Sequence, residues 1–313
     1  MPTTYNTGIN GGIRKDRFLT NFATKYKVQE RVADFVAPPF VVPRETDVYA
    51  QFTKANLRIY NDLVARGEEA KEIELEYTEG TYRCKEHEIG TWISNKDPFN
   101  MDANWQLDKQ KTMLVLDAHR LARENRVLSV ATNAAIVTQN STPSTKWDNA
   151  SGTPVSDILN AMAVIKANST VVPNALVISL ATALKMIQTT EWRDYFKRTE
   201  TGFPKLFNAV DGLRSLGLEP QISGAFGVNT AQGTASDPSA EVLIGKNAIL
   251  FHREPNPTLE TRTFMYSPYL KWNEAIMRYP MPWKRGYKIT ALSLIDELLV
   301  DAQCAYLFTG VIS

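Results

Sequence analysis

Three histidines, two cysteines and a few serines set beside glycines are the residues of this 313-residue chain whose types could carry covalent or metal chemistry. Such groups act only when they converge, a base within reach of a nucleophile or several ligands at fixed spacing. His87, His119 and His252 are widely separated, and His87-Glu88 has no second histidine at the helical spacing that a zinc site uses. Gly245-Lys246 resembles the end of a phosphate-binding loop, but Ala240 stands where the first glycine belongs and Asn247 where a serine or threonine is needed. Gly212-Leu213-Arg214-Ser215-Leu216-Gly217 misplaces the first glycine of a nucleophile elbow, so Ser215 reads as a surface serine. A Gly-x-Gly-x-x-Gly run is absent. The expectation is no catalytic residue, no cofactor-binding residue and no metal ligand. An enzyme would have to assemble its site from scattered carboxylates.

Aromatic and basic residues interleave in Tyr269-Leu270-Lys271-Trp272 and Trp283-Lys284-Arg285-Gly286-Tyr287. Such runs can stack on single-stranded nucleic acid, yet the same residue types mark protein interfaces. The balance of 35 basic against 34 acidic residues, net +1, supplies no field to draw in a polyanion, which favours packing or a subunit contact. Cys84 and Cys304 lie far apart with no ligand spacing, which points to a reducing compartment. The first residues lack a signal-peptide pattern and no apolar run approaches the ~18 residues of a membrane span, so a soluble protein made in the cytosol, with no membrane partner, is expected.

The elements available to position these residues follow an order. Residues 1–17 are rich in Gly, Asn and Thr and end in Arg14, Lys15 and Arg17, a segment that is either a frayed terminus or an arm that orders only against a neighbouring subunit. Phe18, Phe22 and Tyr26 are spaced for a short helix, and the prolines of Val36-Ala37-Pro38-Pro39-Phe40-Val41-Val42-Pro43 make that run extended. Glu72-Ile73-Glu74-Leu75-Glu76-Tyr77 alternates apolar and acidic residues and predicts a strand, paired with Val48 to Tyr60 in a long two-stranded hairpin. A hairpin of that kind is marginal alone, so its apolar face needs a surface elsewhere, either its own domain's sheet, where the charged face would block edge pairing, or another subunit.

From Trp105 to Val137 no Gly or Pro intervenes, and Leu107, Leu114, Leu121 and Leu128 recur every seven residues with Ala118 and Ala131 beside them. One amphipathic helix of about 50 Å is predicted, capped by Asn104 or Asp102 and laid against a sheet. Ser141 to Pro154 forms a junction, after which Pro154 opens a helix with Val155, Ile158, Leu159, Met162 and Ile165 on one face. Ala175 to Ile178 reads as a strand buried on both faces, and Ser179 caps a helix from Leu180 to Ile187. A helix from Glu191 to Arg198, strands at 218–222, 241–244 and 248–251, a polar loop between the first two, and a final strand at 303–309 complete an α+β chain.

Taken in that order, and with Val32-Ala33-Asp34-Phe35-Val36-Ala37-Pro38 leading to Tyr49-Ala50-Gln51-Phe52 and Pro154 to Ile165 followed by Pro173-Asn174-Ala175-Leu176-Val177-Ile178, the chain resembles the Hong Kong 97-type major capsid proteins of tailed bacteriophages. The resemblance implies an N-terminal arm at 1–39, an E-loop hairpin region at 40–88, a peripheral domain with a spine helix at 89–150 completed by about 258–298, and an axial domain at 151–257 completed by about 299–313. It implies a subunit that forms the hexamers and pentamers of an icosahedral shell around double-stranded DNA, without sequence-specific binding. Location in the virion after assembly in the host bacterial cytoplasm, a portal protein, and a separate scaffolding protein (because no scaffolding extension precedes Met1) belong to the same expectation. Candidate intersubunit residues are Phe52, Lys54, Leu57, Ile59, Lys71, Ile73, Leu75 and Tyr77 in the hairpin and Arg14 and Arg17 in the arm. The alternative on the same fold is an encapsulin-type shell around cargo enzymes.

Overall fold

The structure is a computed structural model that describes residues 14–15, 31–52, 58–64, 67, 69–74, 76–96, 107–196, 206–227, 241–270 and 275–313. The helix expected around Phe18 to Tyr26, the caps Asp102 and Asn104, and most of the polar loop before Glu241 lie outside those residues.

In chain order the strands are β1 (Arg14–Lys15), β2 (Pro39–Val41), β3 (Thr46–Phe52), β4 (Tyr77–Arg83), β5 (Lys85–Ser94), β6 (Asn140–Ser141), β7 (Ala175–Ser179), β8 (Glu219–Ser223), β9 (Phe226–Gly227), β10 (Glu241–Val242), β11 (Ala248–Phe251), β12 (Met265–Tyr269), β13 (Ala275–Met281), β14 (Gly286–Ile295), β15 (Leu298–Leu299) and β16 (Ala305–Phe308). The helices are α1 (Ala33–Val36), α2 (Leu107–Ala131), α3 (Pro154–Ser169), α4 (Leu180–Met186), α5 (Thr190–Phe196) and α6 (Leu206–Ser215).

Two sheets carry the body. A five-stranded sheet runs β6-β16-β11-β7-β8, antiparallel at its centre and parallel where β8 meets β7 and β6 meets β16. Every residue of β7 and β11 is buried, as the all-apolar Ala175 to Ile178 run requires. Period-two alternation sends Leu176, Ile178, Ala248 and Leu250 to one side, against α3, α4 and α6, and Ala175, Val177, Ile249 and Phe251 to the other. In the seven-stranded sheet β14 is central, with β13 on one side (Ala275↔Leu292 to Met281↔Gly286) and β5 on the other (Lys85↔Ile295 to Ser94↔Gly286).

Helix α2 joins the two. Val115 and Leu116 in its first half pack on Ile93, Ile276, Ile289 and Ala291 of the seven-stranded sheet. Val127, Leu128 and Ala131 in its second half enter the core beneath the five-stranded sheet, with Phe35 and Val36 of α1. The expected stripe is buried only in part, at Leu128 and Ala131. Leu114 is 60% exposed and Ala118 is also exposed, whereas Thr112, Val115, Leu116, His119, Glu124, Val127, Leu128 and Ala131 face inward. That spacing of three and four follows the 3.6-residue turn of a helix laid on sheets, which a strict seven-residue repeat does not track. The helix also stops at Ala131, short of Val137, where Asn133 accepts a hydrogen bond from the Ala135 amide and starts a turn; at 1.5 Å per residue it is about 38 Å long.

Helix α3 begins at Pro154 as expected, but its inward face is Val155, Ile158, Ala161 and Ile165, with Leu159 exposed. Thr170, at φ 67°, ends it before Pro173 is reached. Ser179 caps α4 by accepting from the Thr182 amide at 3.1 Å. The α3 N-terminus is closed from α5: the Glu191 carboxylate accepts from the Val155 and Ser156 amides at 2.8 and 3.1 Å.

Candidate assembly surfaces

The hairpin is built outward from an aromatic footing. Tyr49 and Tyr82, from β3 and β4, are buried with Val42, Cys84, Tyr266 and Val300, Phe40 packs half-buried against them, and Tyr266 meets both Phe40 and Tyr49 edge to face at 5.0 and 6.2 Å. Gln51 donates to the Val300 carbonyl at 2.8 Å and the Arg83 amide donates to Asp296 at 3.0 Å, so the ladder's two strands are each tied to the β14–β15 region. Gly80 faces Tyr49 across the ladder, and a Cβ there would stand 2.3 Å from the tyrosine ring.

The register differs from the sequence expectation. The ladder runs Thr46↔Arg83 to Phe52↔Tyr77, so Tyr77 begins the strand, and the described residues from 69 to 76 carry no strand. A two-stranded ladder holds where one face is packed on the footing; farther out no such surface lies against it among the described residues. The two arms of the excursion nevertheless stay together, through an Arg58–Glu76 ion pair at 3.2 Å and a Lys71 Nζ hydrogen bond to the Asn61 carbonyl at 2.8 Å.

Of the candidate contact residues, Ile59 and Ile73 are exposed on these adjoining arms, with Leu63 beside them; Tyr77 is half exposed and Lys71 is exposed. Phe52 closes the ladder opposite Tyr77, and Arg14 pairs with Arg278 at the outer edge of β13. Lys54, Leu57, Leu75 and Arg17 lie outside the described residues.

Sequence reasoning missed the charged clasp that holds α1 against α2. The buried Glu124 carboxylate on α2 accepts from the Val32 and Ala33 amides at 2.9 and 2.7 Å, satisfying donors at the start of α1. Arg123 bonds Asp34 and the Ala37 carbonyl, and Arg31 pairs with Asp117 at 3.6 Å. Burial pushes the Glu124 carboxyl above its ordinary value, and the two amides and Arg31 hold it back. These partners lie about ninety residues apart in the chain, beyond any local motif. Farther along α2, His119 shares a hydrogen bond with Ser293 at 2.9 Å, and Arg126 pairs with Glu297 at 2.7 Å.

The chemistry-bearing residues stay apart. His252 Nδ1 lies 2.8 Å from the Val172 carbonyl, and Ser215 is exposed with its hydroxyl donating to the Gly212 carbonyl within α6. Cys84 and Cys304 are buried free thiols that burial raises to about 11 and about 12. Among the described residues no group of three potential metal ligands gathers, and no helix is long and apolar enough to cross a membrane.

No family model matches the chain, and no curated protein matches its sequence. Solved structures match nearly all of it. A phage-related protein from Bordetella bronchiseptica RB50 aligns with a TM-score of 0.71 at 18% identity, over 95% of this chain and 97% of its own. The capsid protein of cyanophage P-SCSP1u gives 0.56 at 10% identity, over 98% and 92% respectively. A holo-encapsulin complex from Synechococcus elongatus gives 0.56 at 9% identity, over 95% and 96%. The chain therefore has the α+β Hong Kong 97-type fold, shared by tailed-phage capsid proteins and encapsulin shells.

Proposed function

We propose that this chain is the major capsid protein of a tailed bacteriophage, a structural subunit and not an enzyme, which assembles through itself into hexamers and pentamers of an icosahedral shell around double-stranded DNA. The observation that carries the reading is the hairpin: an anchored two-stranded footing bearing an excursion with Ile59, Leu63 and Ile73 exposed. Single exposed apolar residues are ordinary, but this group projects from the body on a fold whose solved members include assembled shells, and a second copy is the surface that would cover it. In this reading residues 40–88 are the E-loop region, α2 is the spine of the peripheral domain, and the five-stranded sheet belongs to the axial domain. Net charge near zero suits a shell that confines DNA without gripping its sequence. A portal protein, a separate scaffolding protein, and assembly in the bacterial cytoplasm complete the proposal.

An encapsulin-type compartment is the second reading, favoured by a TM-score to the Synechococcus encapsulin equal to that for the cyanophage capsid. Negative-stain electron microscopy of the recombinant protein, with and without a co-expressed scaffold, tests both. Closed shells, tubes or discrete hexamers and pentamers are expected. Shells filled with protein cargo would move the assignment to a compartment, and a monomer under every condition would overturn the shell reading.

A further inference from the structure

Between Arg31 and Val41 the chain meets α2, the five-stranded sheet and the seven-stranded sheet in turn. Toward α2 the short helix α1 is held by charge. The Glu124 carboxylate accepts from the Val32 and Ala33 amides, and Arg123 bonds Asp34 and the Ala37 carbonyl. That side is partly open to water, the Asp34 side chain being 72% exposed.

Toward the five-stranded sheet α1 is held by rings. Phe35 meets Phe251 of β11 edge to face at 6.0 Å, and the Arg253 guanidinium lies 4.5 Å from the centre of the Phe35 ring. Arg253 is itself fixed to that sheet. Asn174, just ahead of β7, accepts from the Arg253 amide and donates to its carbonyl, both at 2.8 Å, as a neighbouring strand would. Glu219 of β8 pairs with the guanidinium at 3.2 Å, and the buried Arg253 Nε has no hydrogen-bond partner among the described residues, so the Phe35 ring and one ion pair set the head group. Among the described residues no hydrogen bond or ion pair joins Arg253 to Arg123 or Glu124; what they share is α1.

A single helical turn closes only a few hydrogen bonds of its own, here Val36 to Val32 and Ala37 to Ala33 at 2.9 and 2.8 Å, and is far too short to hold alone in water. Its formation therefore depends on what grips it from the two sides. We propose that α1 is a two-state latch, docked or released as one unit, whose equilibrium is set jointly by Glu124 on α2 and by Arg253 beyond β11, so that a change at either residue is felt at the contact made by the other. Docked, the latch is a second tie between α2 and the five-stranded sheet, beside the direct packing of Val127, Leu128 and Ala131. The inference goes beyond the shell reading and does not depend on it.

The test is amide hydrogen exchange in the full chain, with residues 289–292 of β14 as the reference for global opening. Arg253→Met is expected to speed exchange about tenfold at the Val32 and Ala33 amides, which bond Glu124 and make no hydrogen bond to Arg253. Glu124→Ala is expected to speed it about tenfold or more at the Val36 and Ala37 amides, whose acceptors inside α1 the change leaves in place. Two controls bear on the Phe35 contact. Arg253→Lys keeps a cation at the ring, and Glu219→Gln removes only a half-exposed ion pair, so each is expected to stay within about threefold of wild type. Faster exchange confined to the side that was changed, either control as fast as Arg253→Met, or equal acceleration at residues 289–292 would overturn the latch. Each of these outcomes leaves the shell reading standing.

Discussion

Glu124 is a side chain whose charge sits in a core and is tolerated because two amides point at it. Replacing it by alanine leaves the Val32 and Ala33 amides buried without an acceptor, at a cost of about 1–3 kcal/mol for each. Glu124→Ala is therefore expected to lower the melting temperature and to raise hydrogen exchange at residues 31–37. The pH dependence has a definite sign. Burial raises the carboxyl's pKa in the folded state, so the folded protein binds that proton more tightly than the unfolded chain does. Its contribution to stability is full below the ordinary carboxylate value and is lost as pH rises through the raised one. A melting series from about pH 4 to about pH 7 is expected to show a downward slope from this group in wild type that Glu124→Gln removes. Equal slopes in the two proteins would contradict the assignment.

Two glycines and one helix face give tests at the scale of elements. At Gly80 an added Cβ meets the Tyr49 ring, whereas at Gly286 it meets the Ile93 carbonyl oxygen at 2.2 Å as well as the Trp92 indole. A ring can turn away, but a backbone carbonyl inside a ladder moves only with the ladder. Chemical denaturation is accordingly expected to place Gly286→Ala below Gly80→Ala, with overpacking costs of about 1–3 kcal/mol or more. On α2, Leu116→Ala and Leu128→Ala are each expected to cost about 2–5 kcal/mol, while Leu114→Ala stays within about 0.5 kcal/mol of wild type. A destabilisation at Leu114 as large as at Leu128 would restore the heptad stripe and contradict the observed face.

The molecule as a whole is two sheets bridged by one helix, with a hairpin that reaches past them. Its stability and its assembly should separate. Substituting aspartate at Ile59, Leu63 and Ile73 removes no buried side chain and is expected to leave the subunit's melting within about 0.5 kcal/mol of wild type. The same triple variant is expected to abolish particles in sedimentation and electron microscopy, because a charged residue in each hairpin is repeated at every copy of the contact. Loss of folding in this variant would mean that the outer hairpin packs on its own body.

Local patterns in the sequence determined a good deal of this chain: the buried β7 run of Ala175 to Ile178, the Ser179 cap, the Pro154 helix start, the last strand and the long helix after residue 106. Each depends on neighbours within a turn or a strand, and the order of elements was enough to bring out the fold. Tertiary structure alone decided the rest. The leucine stripe misled at Leu114 and Ala118 because the surface receiving α2 is two sheets contributed by distant strands, and that surface chose which face is buried. The acidic alternation of Glu72 to Tyr77 marked a real excursion but not its ladder, since pairing holds where Tyr49 and Tyr82 reach Tyr266, more than 180 residues on. The Glu124 clasp was equally illegible. Its members sit on two helices about ninety residues apart, and no spacing in the chain records which segments fold onto one another.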